Sequence, residues 1–302
     1  MKFSTIVSVL ATLAVTQVAN ARPAKRDITD PQVLNYALTL EHLEATFYKQ
    51  GLEKFSNGDF IAAGYPEWAH GRFTQIRDHE ATHVTFLTTA LEAAGAKAVE
   101  ACEYDFGITD VASFVNLAET LEAVGTAAYT GGAQFISTKE YLTAAASILA
   151  VEARHAAWLA SAVKQSSAWD TAFQTPLAPN PVYSLAAPLI KSCPASNAAL
   201  LPALTAYPAL TFGPSARVGT TTTLNFAAPP KATSQLFMAF VSGPATPVFV
   251  PIQSGNQVAI PSALRGLVFC FVTNDGGKVD DSTIVAGPAT LNVAFDSRGE
   301  VV

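Results

Sequence analysis

Two copies of Glu-x-x-His, each inside an apolar helical pattern, restrict what this chain can fold into more than any other feature. The segment from Thr74 to Ala94 carries Glu80-Ala-Thr-His83, and the segment from Lys139 to Lys164 carries Glu152-Ala-Arg-His155. On an α-helix, residues three apart share a face with Cβ atoms about 5 to 6 Å apart, so each pair can offer a carboxylate and an imidazole to one metal ion. One copy alone would be weak support.

A second doubled feature strengthens the reading. Glu41 is followed seven residues on by Tyr48, and Glu122 seven residues on by Tyr129, so two helical turns return each Tyr to the face of its Glu. The order Glu, Glu-x-x-His, Glu, Glu-x-x-His on four successive helix candidates is the ligand order of a carboxylate-bridged two-metal helical bundle. On these residues the chain resembles the ferritin-like superfamily. Within it, the chain is similar to secreted fungal ferritin-like domain proteins, a group that resembles plant desiccation-related proteins and includes proteins described as stress-response or sexual-development proteins. The resemblance covers roughly Asp30 to Pro194. It implies that Glu41, Glu80 and His83 hold one metal and Glu122, Glu152 and His155 the other, with Glu80 and Glu152 bridging.

Capping and breaker residues place the four helices. Asp30-Pro31 reads as N-cap and first helical position, with Gly51 as the stop, for a first helix over about Pro31 to Gln50. Leu52 to Pro66 reads as a connector with room for a short helix. The second helix runs from near Glu67 to Ala94 before Gly95, with a possible interruption at Gly71. The third starts at Thr109-Asp110 and continues to about Gly131. Ser137-x-x-Glu140 reads as a capping box for the fourth, which runs to about Gln165. A short fifth helix is expected over Pro181 to Ile190.

Each candidate ligand has an ordinary reading when taken singly. Glu44, Glu53, Glu92 and Glu119 read as solvated helix-face charges, and His42, His70 and His79 as surface or hydrogen-bonded histidines. The joint pattern is different. Burying four carboxylates and two imidazoles among apolar helices costs several kcal/mol per unpaired ion, and those faces carry no matching Lys or Arg. Two dications would balance four Glu charges, and the mixed nitrogen and oxygen donors suit iron or manganese better than calcium, with zinc also able to bind. The competing reading is a metal-free polar core. Tyr48 and Tyr129, the candidate catalytic groups, fit both readings: as donors behind the metal-bound carboxylates, or as partners in a metal-free network.

The remaining sequence sets the context. Lys2, the apolar stretch Phe3 to Val18 and Ala19-Asn20-Ala21 read as a secretory signal over residues 1–21. Lys25-Arg26 marks a possible short pro-segment over 22–29. The net charge of −6, with no Lys/Arg cluster, excludes a nucleic-acid footprint, and no later stretch is long enough to span a bilayer. Similarity to the fungal group pairs Cys102 with Cys193 and leaves Cys270 as a buried thiol. Beyond the bundle (30–195) and a linker (196–205), residues 206–302 turn Thr-rich and Val/Phe-rich, with runs Thr220 to Phe226, Gln235 to Val241, Val248 to Ile252 and Leu267 to Val272 between Gly and Pro turns. The expected architecture is therefore a ferritin-like four-helix bundle followed by a C-terminal antiparallel β-sandwich of seven strands, immunoglobulin-like or a small barrel.

Three functions compete on this reading. One is a secreted di-iron oxidase with two iron ions that uses O2 or peroxide. Another is a non-enzymatic metal-binding stress or cell-surface protein whose β domain meets a cell-wall or protein partner. The last is a di-manganese catalase-like enzyme.

Overall fold

A computed structural model describes residues 28–214, 216–227 and 235–302. The expected signal segment and the Lys25-Arg26 pair lie outside these residues. Among the described residues six α-helices come first, with a two-stranded ribbon beside them, and seven further strands follow. The helices are α1 (Asp30–Lys54), α2 (Asn57–Ala62), α3 (Ala69–Ala93), α4 (Val111–Gly132), α5 (Lys139–Trp158) and α6 (Pro179–Ala186). α1 lies along α3 and α4 along α5, and α1 also meets α4.

Several helix ends differ from the sequence expectation, each for a local reason. Thr29, not Asp30, is the N-cap of α1; its N–H and hydroxyl both reach Gln32 Oε1, at 3.0 and 3.1 Å. Asp30 instead accepts from the backbone N–H groups of Ser137 (2.7 Å) and Thr138 (2.9 Å), tying the start of α1 to the start of α5. The Ser137-x-x-Glu140 box does not form, because Thr138 is the cap of α5 and Asp30 serves that turn from outside. Gly51 does not stop α1. A Cβ there would lie 2.2 Å from Phe114 Cε2, so this glycine permits the close approach of α1 to α4. α3 runs straight through Gly71 and ends before Gly95, whose φ of +70° suits glycine. α5 continues into a π-helical turn over Leu159–Val163.

Phe47, Tyr48, Phe60, Phe73 and Phe114 are fully buried and close one end of the bundle. The Phe47 and Phe114 rings stack with centroids 4.9 Å apart. α2 supplies Phe60 to this cluster, which is why the connector folds as a helix with an apolar inner face. Cys102 and Cys193 are joined in a disulfide that links the loop after α3 to the segment after α6. Beside it, β1 (Glu103–Tyr104) pairs antiparallel with β2 (Ile190–Ser192). Closing a loop of 91 residues restricts the unfolded chain by about 4 kcal/mol on an entropic account.

The C-terminal strands are β3 (Leu210–Phe212), β4 (Thr221–Phe226), β5 (Phe237–Val241), β6 (Val248–Pro251), β7 (Gln257–Ala259), β8 (Gly266–Thr273) and β9 (Ile284–Val293). They form antiparallel sheets of order β3-β4-β7 and β6-β5-β8-β9. Leu210, Leu224 and Val258 of the first sheet share a core with Met238, Phe240, Val268, Cys270 and Val272 of the second, which makes a sandwich. The alternate residues Ala239, Phe269 and Phe271 face the other way, into the core of the helices. β8 is therefore buried on both faces, and Leu267 to Val272 reads as a continuous apolar run instead of an alternating one. Cys270 is a free buried thiol pushed well above its ordinary pKa by burial.

Two neighbouring glycines give a test of this packing. A Cβ at Gly131 would lie 1.9 Å from the Leu177 carbonyl oxygen, and Leu177 N–H donates to Ala127 O at 3.1 Å, so backbone on both sides blocks any relief. Nothing lies within 4 Å of the same position at Gly132. Denaturant unfolding is expected to show Gly131→Ala destabilised by about 2 to 3 kcal/mol and Gly132→Ala stabilised by about 0.5 to 1 kcal/mol. Equal effects at the two sites would contradict the packing described.

Candidate metal centre

The four long helices each bring carboxylate or imidazole groups to one point. Glu41 comes from α1, Glu80 and His83 from α3, Glu122 from α4, and Glu152 and His155 from α5; the four carboxylates have 0% exposure. Their donor atoms form two overlapping sets, Glu41, Glu80, His83, Glu152 and Glu80, Glu122, Glu152, His155, each with all atoms within 4.8 Å of one another. Glu80 and Glu152 belong to both. His83 Nδ1 lies 3.2 Å from Glu41 Oε2, 3.1 Å from Glu80 Oε2 and 3.2 Å from Glu152 Oε1. His155 Nδ1 lies 3.2 Å from both Glu80 Oε1 and Glu122 Oε2.

The tyrosines cross between helices. Tyr48 of α1 donates to Glu122 Oε1 of α4 at 2.5 Å, and Tyr129 of α4 donates to Glu41 Oε1 of α1. The Glu-to-Tyr spacing that put each pair on one face of its own helix thus serves the opposite helix. Each tyrosine fixes the outer oxygen of a carboxylate and leaves the inner one facing the centre.

The remaining histidines and glutamates divide. His42 Nε2 is 3.2 Å from Val99 O, and His70 lies edge-on to Phe60. Glu53 and Glu92 are exposed, as solvated charges should be, whereas Glu119 is only 17% exposed at its side chain and pairs with Lys164 at 2.5 Å. His79 takes the hydrogen-bonded role: its Nδ1 is 2.9 Å from His155 Nε2, and the two rings stack at 5.2 Å. Glu44 does not fit its solvated reading, being only 4% exposed. Its place three residues after Glu41 was the available signal, since that spacing returns it to the same face. For His79, adjacency to Glu80 argued against a shared face, and the contact depends on how α3 crosses α5.

Residues 29–165 match the family model described as "Ferritin-like domain". A protein named "Protein rds1" from Schizosaccharomyces pombe (strain 972 / ATCC 24843) is 26% identical over 185 residues, an alignment that covers 57% of this chain and 42% of that one. The chain therefore spans less than half of the length of this relative. Residues 29–165 are a ferritin-like domain.

The ferritin-like domain carries its buried acids without buried bases: among the described residues no Lys or Arg is buried. Five buried side-chain oxygens among these residues have no hydrogen-bond partner of good geometry, and three of them are Glu80 Oε1 and both oxygens of Glu152. Glu152 Oε1 lies 3.2 Å from His83 Nδ1 and Glu80 Oε1 3.2 Å from His155 Nδ1, but each of those nitrogens has one proton, for which Glu41 and Glu80 compete at His83 and Glu122 at His155. Donors about 3 Å apart are what an ion with bonds of about 2.1 Å at right angles requires. Four carboxylates and two neutral imidazoles also match the charge of two dications. The residues fit a metal ion, and His79 then accepts the Nε2 proton of His155, which holds Nδ1 toward the carboxylates.

Without metal the same groups must share protons. Burial pushes the Glu41 carboxyl up to about 8, and burial with neighbouring carboxylates pushes Glu152 and Glu44 well above the usual range. Burial also acts to raise Glu80, but hydrogen bonds from His155 and His83 outweigh it and hold that group at about 2. Burial disfavours charge on the imidazoles, yet the surrounding carboxylates win and raise His83 to about 12 and His155 to about 10.

The pH dependence follows from these directions. From pH 4.5 to 8 the unfolded chain ionises at Glu41 while the folded one does not, and above 6.5 the unfolded chain loses the His protons that the folded one retains. Both effects lower stability as pH rises, whereas the Glu80 contribution is lost only as pH falls from 4.5 towards 2. A divalent ion requires ionised carboxylates and neutral imidazoles, so its affinity rises with pH. Thermal unfolding is expected to show the metal-free protein losing stability from pH 5 to pH 8, and the shift produced by a divalent transition metal widening over the same range. A shift that is constant or shrinks would contradict the protonation pattern.

Proposed function

We propose that the ferritin-like domain holds a dinuclear transition-metal centre and works as an oxidase on small inorganic species, with iron as the leading metal and O2 or peroxide as oxidant. The observation that carries this reading is the pair of overlapping donor sets that share Glu80 and Glu152, three of whose four oxygens have no well-aligned hydrogen-bond donor. In this reading Glu41, Glu80 and His83 hold one ion, Glu122, Glu152 and His155 hold the second, and Glu80 and Glu152 bridge. Two neighbouring redox ions supply two electrons to one oxidant molecule.

The protein's own part is to bind, orient and exclude. The carboxylates are closed off from solvent, so a bulky organic substrate has no direct contact with them. Tyr48 and Tyr129 keep Glu122 and Glu41 in one orientation. His79, on the exposed side of α3, links the His155 ring to solvent. Secretion belongs to the same reading. A disulfide suits an oxidising compartment, and among the described residues no helix is long and apolar enough to cross a membrane.

The test has a binding arm and a rate arm. Metal analysis is expected to find close to two transition-metal ions per chain, and none retained when Glu80 and Glu152 are both changed to Ala. Fe(II) added anaerobically and then exposed to air is expected to oxidise faster with the native protein than with Glu122→Ala, by roughly tenfold or more, a scale at which even outer partners of metal ligands matter. Two bound ions with only background oxidation would reduce the reading to metal binding. Oxygen evolution from peroxide by the manganese form would move it to a catalase-like reaction.

A further inference from the structure

The two halves of the ferritin-like domain repeat one another closely enough for a departure from the repeat to stand out. α1 carries Glu41, Glu44 and Tyr48 at intervals of three and four residues, and α4 carries Glu122, Gly125 and Tyr129 at the same intervals. Where α1 has a carboxylate, α4 has a glycine. The two positions meet: a Cβ on Gly125 would lie 2.9 Å from Glu44 Oε1 and 3.5 Å from Glu152 Oε2. The missing side chain leaves a notch that both carboxylates border.

Glu44 has no structural partner that explains its burial. It is 4% exposed and, among the described residues, makes no protein hydrogen bond or ion pair, its oxygens keeping a trace of accessible surface. It borders a small cavity of about 110 Å³ walled mainly by Leu40, Leu43, Leu117, Val124 and Leu185, and by Thr120, whose hydroxyl is already donated to Asn116 O at 3.1 Å. A wall with no free donor offers a carboxylate nothing, and a buried acid without a protein partner is costly to the fold. The groups that act on it electrostatically are Glu152, Glu41, Glu80 and Glu122, all of them carboxylates of the centre. Glu44 lies outside the two compact donor sets in its present rotamer.

We propose that Glu44 is a seventh protein donor of the centre, an exchangeable carboxylate that swings through the Gly125 notch onto a bound ion and leaves when a small exogenous anion takes that position. The inference rests on the dinuclear reading above. Glycine at 125 is what lets the side chain pass, and the free volume behind Glu44 receives it when it withdraws. The opposite half has no such ligand, so the two ions differ: one has a protein carboxylate to exchange and the other does not.

Cobalt(II) loading of the full chain tests this without any turnover, because the intensity of its visible bands rises as coordination number falls. Native protein, Glu44→Gln and Gly125→Ala are each loaded, their bound cobalt counted, and azide titrated. Native protein and Glu44→Gln are expected to bind two ions each, with the Glu44→Gln bands at least twofold more intense and azide bound at least tenfold more tightly. Gly125→Ala puts a methyl group into the notch against the movable end of Glu44, and is expected to shift azide affinity in the same direction. If Glu44→Gln does not fold, Gly125→Ala carries the test. Spectra and azide affinities that match native in every variant that folds would overturn the exchangeable carboxylate while leaving the metal centre standing. Native protein that binds no cobalt would overturn both.

Discussion

The structure depends on how five carboxylates are kept inside an apolar bundle. Glu41, Glu44, Glu80, Glu122 and Glu152 are buried, and the cations within reach of them are the imidazoles of His83 and His155. Left ionised and bare, such a cluster would repel itself apart; protonated, it becomes a hydrogen-bonded acid network; filled with dications, it is neutral. Everything around the cluster limits its freedom to escape. The aromatic plug of Phe47, Phe60, Phe73 and Phe114 closes one end, and Asp30 ties the first turns of α1 and α5 together at their N-termini. The helices are thereby held at a separation that the carboxylates alone would not choose.

The β-sandwich takes part in this restraint. Its four-stranded sheet presents Ala239, Phe269 and Phe271 to the helical core while Met238, Phe240 and Cys270 pack on the three-stranded sheet. The result is three layers, with β8 in the middle and buried on both sides. Asp170 adds a polar clasp, accepting the Leu267 N–H at 2.7 Å where a glycine at 266, with φ +68°, brings the backbone close. A sheet joined in this way shares the core of the bundle and meets α6 through β9.

Much of the centre was legible because helical spacing converts directly into shared faces. Glu80 with His83, Glu152 with His155, and the two Glu-to-Tyr intervals could be read before any coordinates, and so could the four helices that carry them. The crossed tyrosine contacts could not, because spacing along one helix says nothing about which neighbour a side chain meets. Glu44 was misread because an acid on a helix is usually solvated; its spacing from Glu41 pointed inward, and the close approach of Gly125 from a distant helix shows where it lies. The strand runs with continuous or alternating apolar residues were readable. The short β3 and β7, and β9 with Gly287-Pro288 in its middle, carry too little pattern to stand out from loops. Gly51 looked like a stop because glycine ends helices in the absence of tertiary contact, and Phe114 supplies that contact here.

The tyrosines and histidines by themselves do not distinguish a metal site from a proton-sharing acid network, since Tyr48, Tyr129 and His79 make the same hydrogen bonds in either case. The distinction lies in where the unsatisfied atoms are. An acid network evolved for its own stability would place its donors on its most deeply buried oxygens, because an unpaired buried oxygen costs about 1 to 3 kcal/mol. Here the tyrosine donors go to the periphery, at Glu41 and Glu122, and the oxygens without an aligned donor are Glu80 Oε1 and both of Glu152, the two residues common to both donor sets. A rim of donors around acceptors that lack an aligned one is an arrangement that two cations would satisfy directly and that protons satisfy only by being shared between carboxylates.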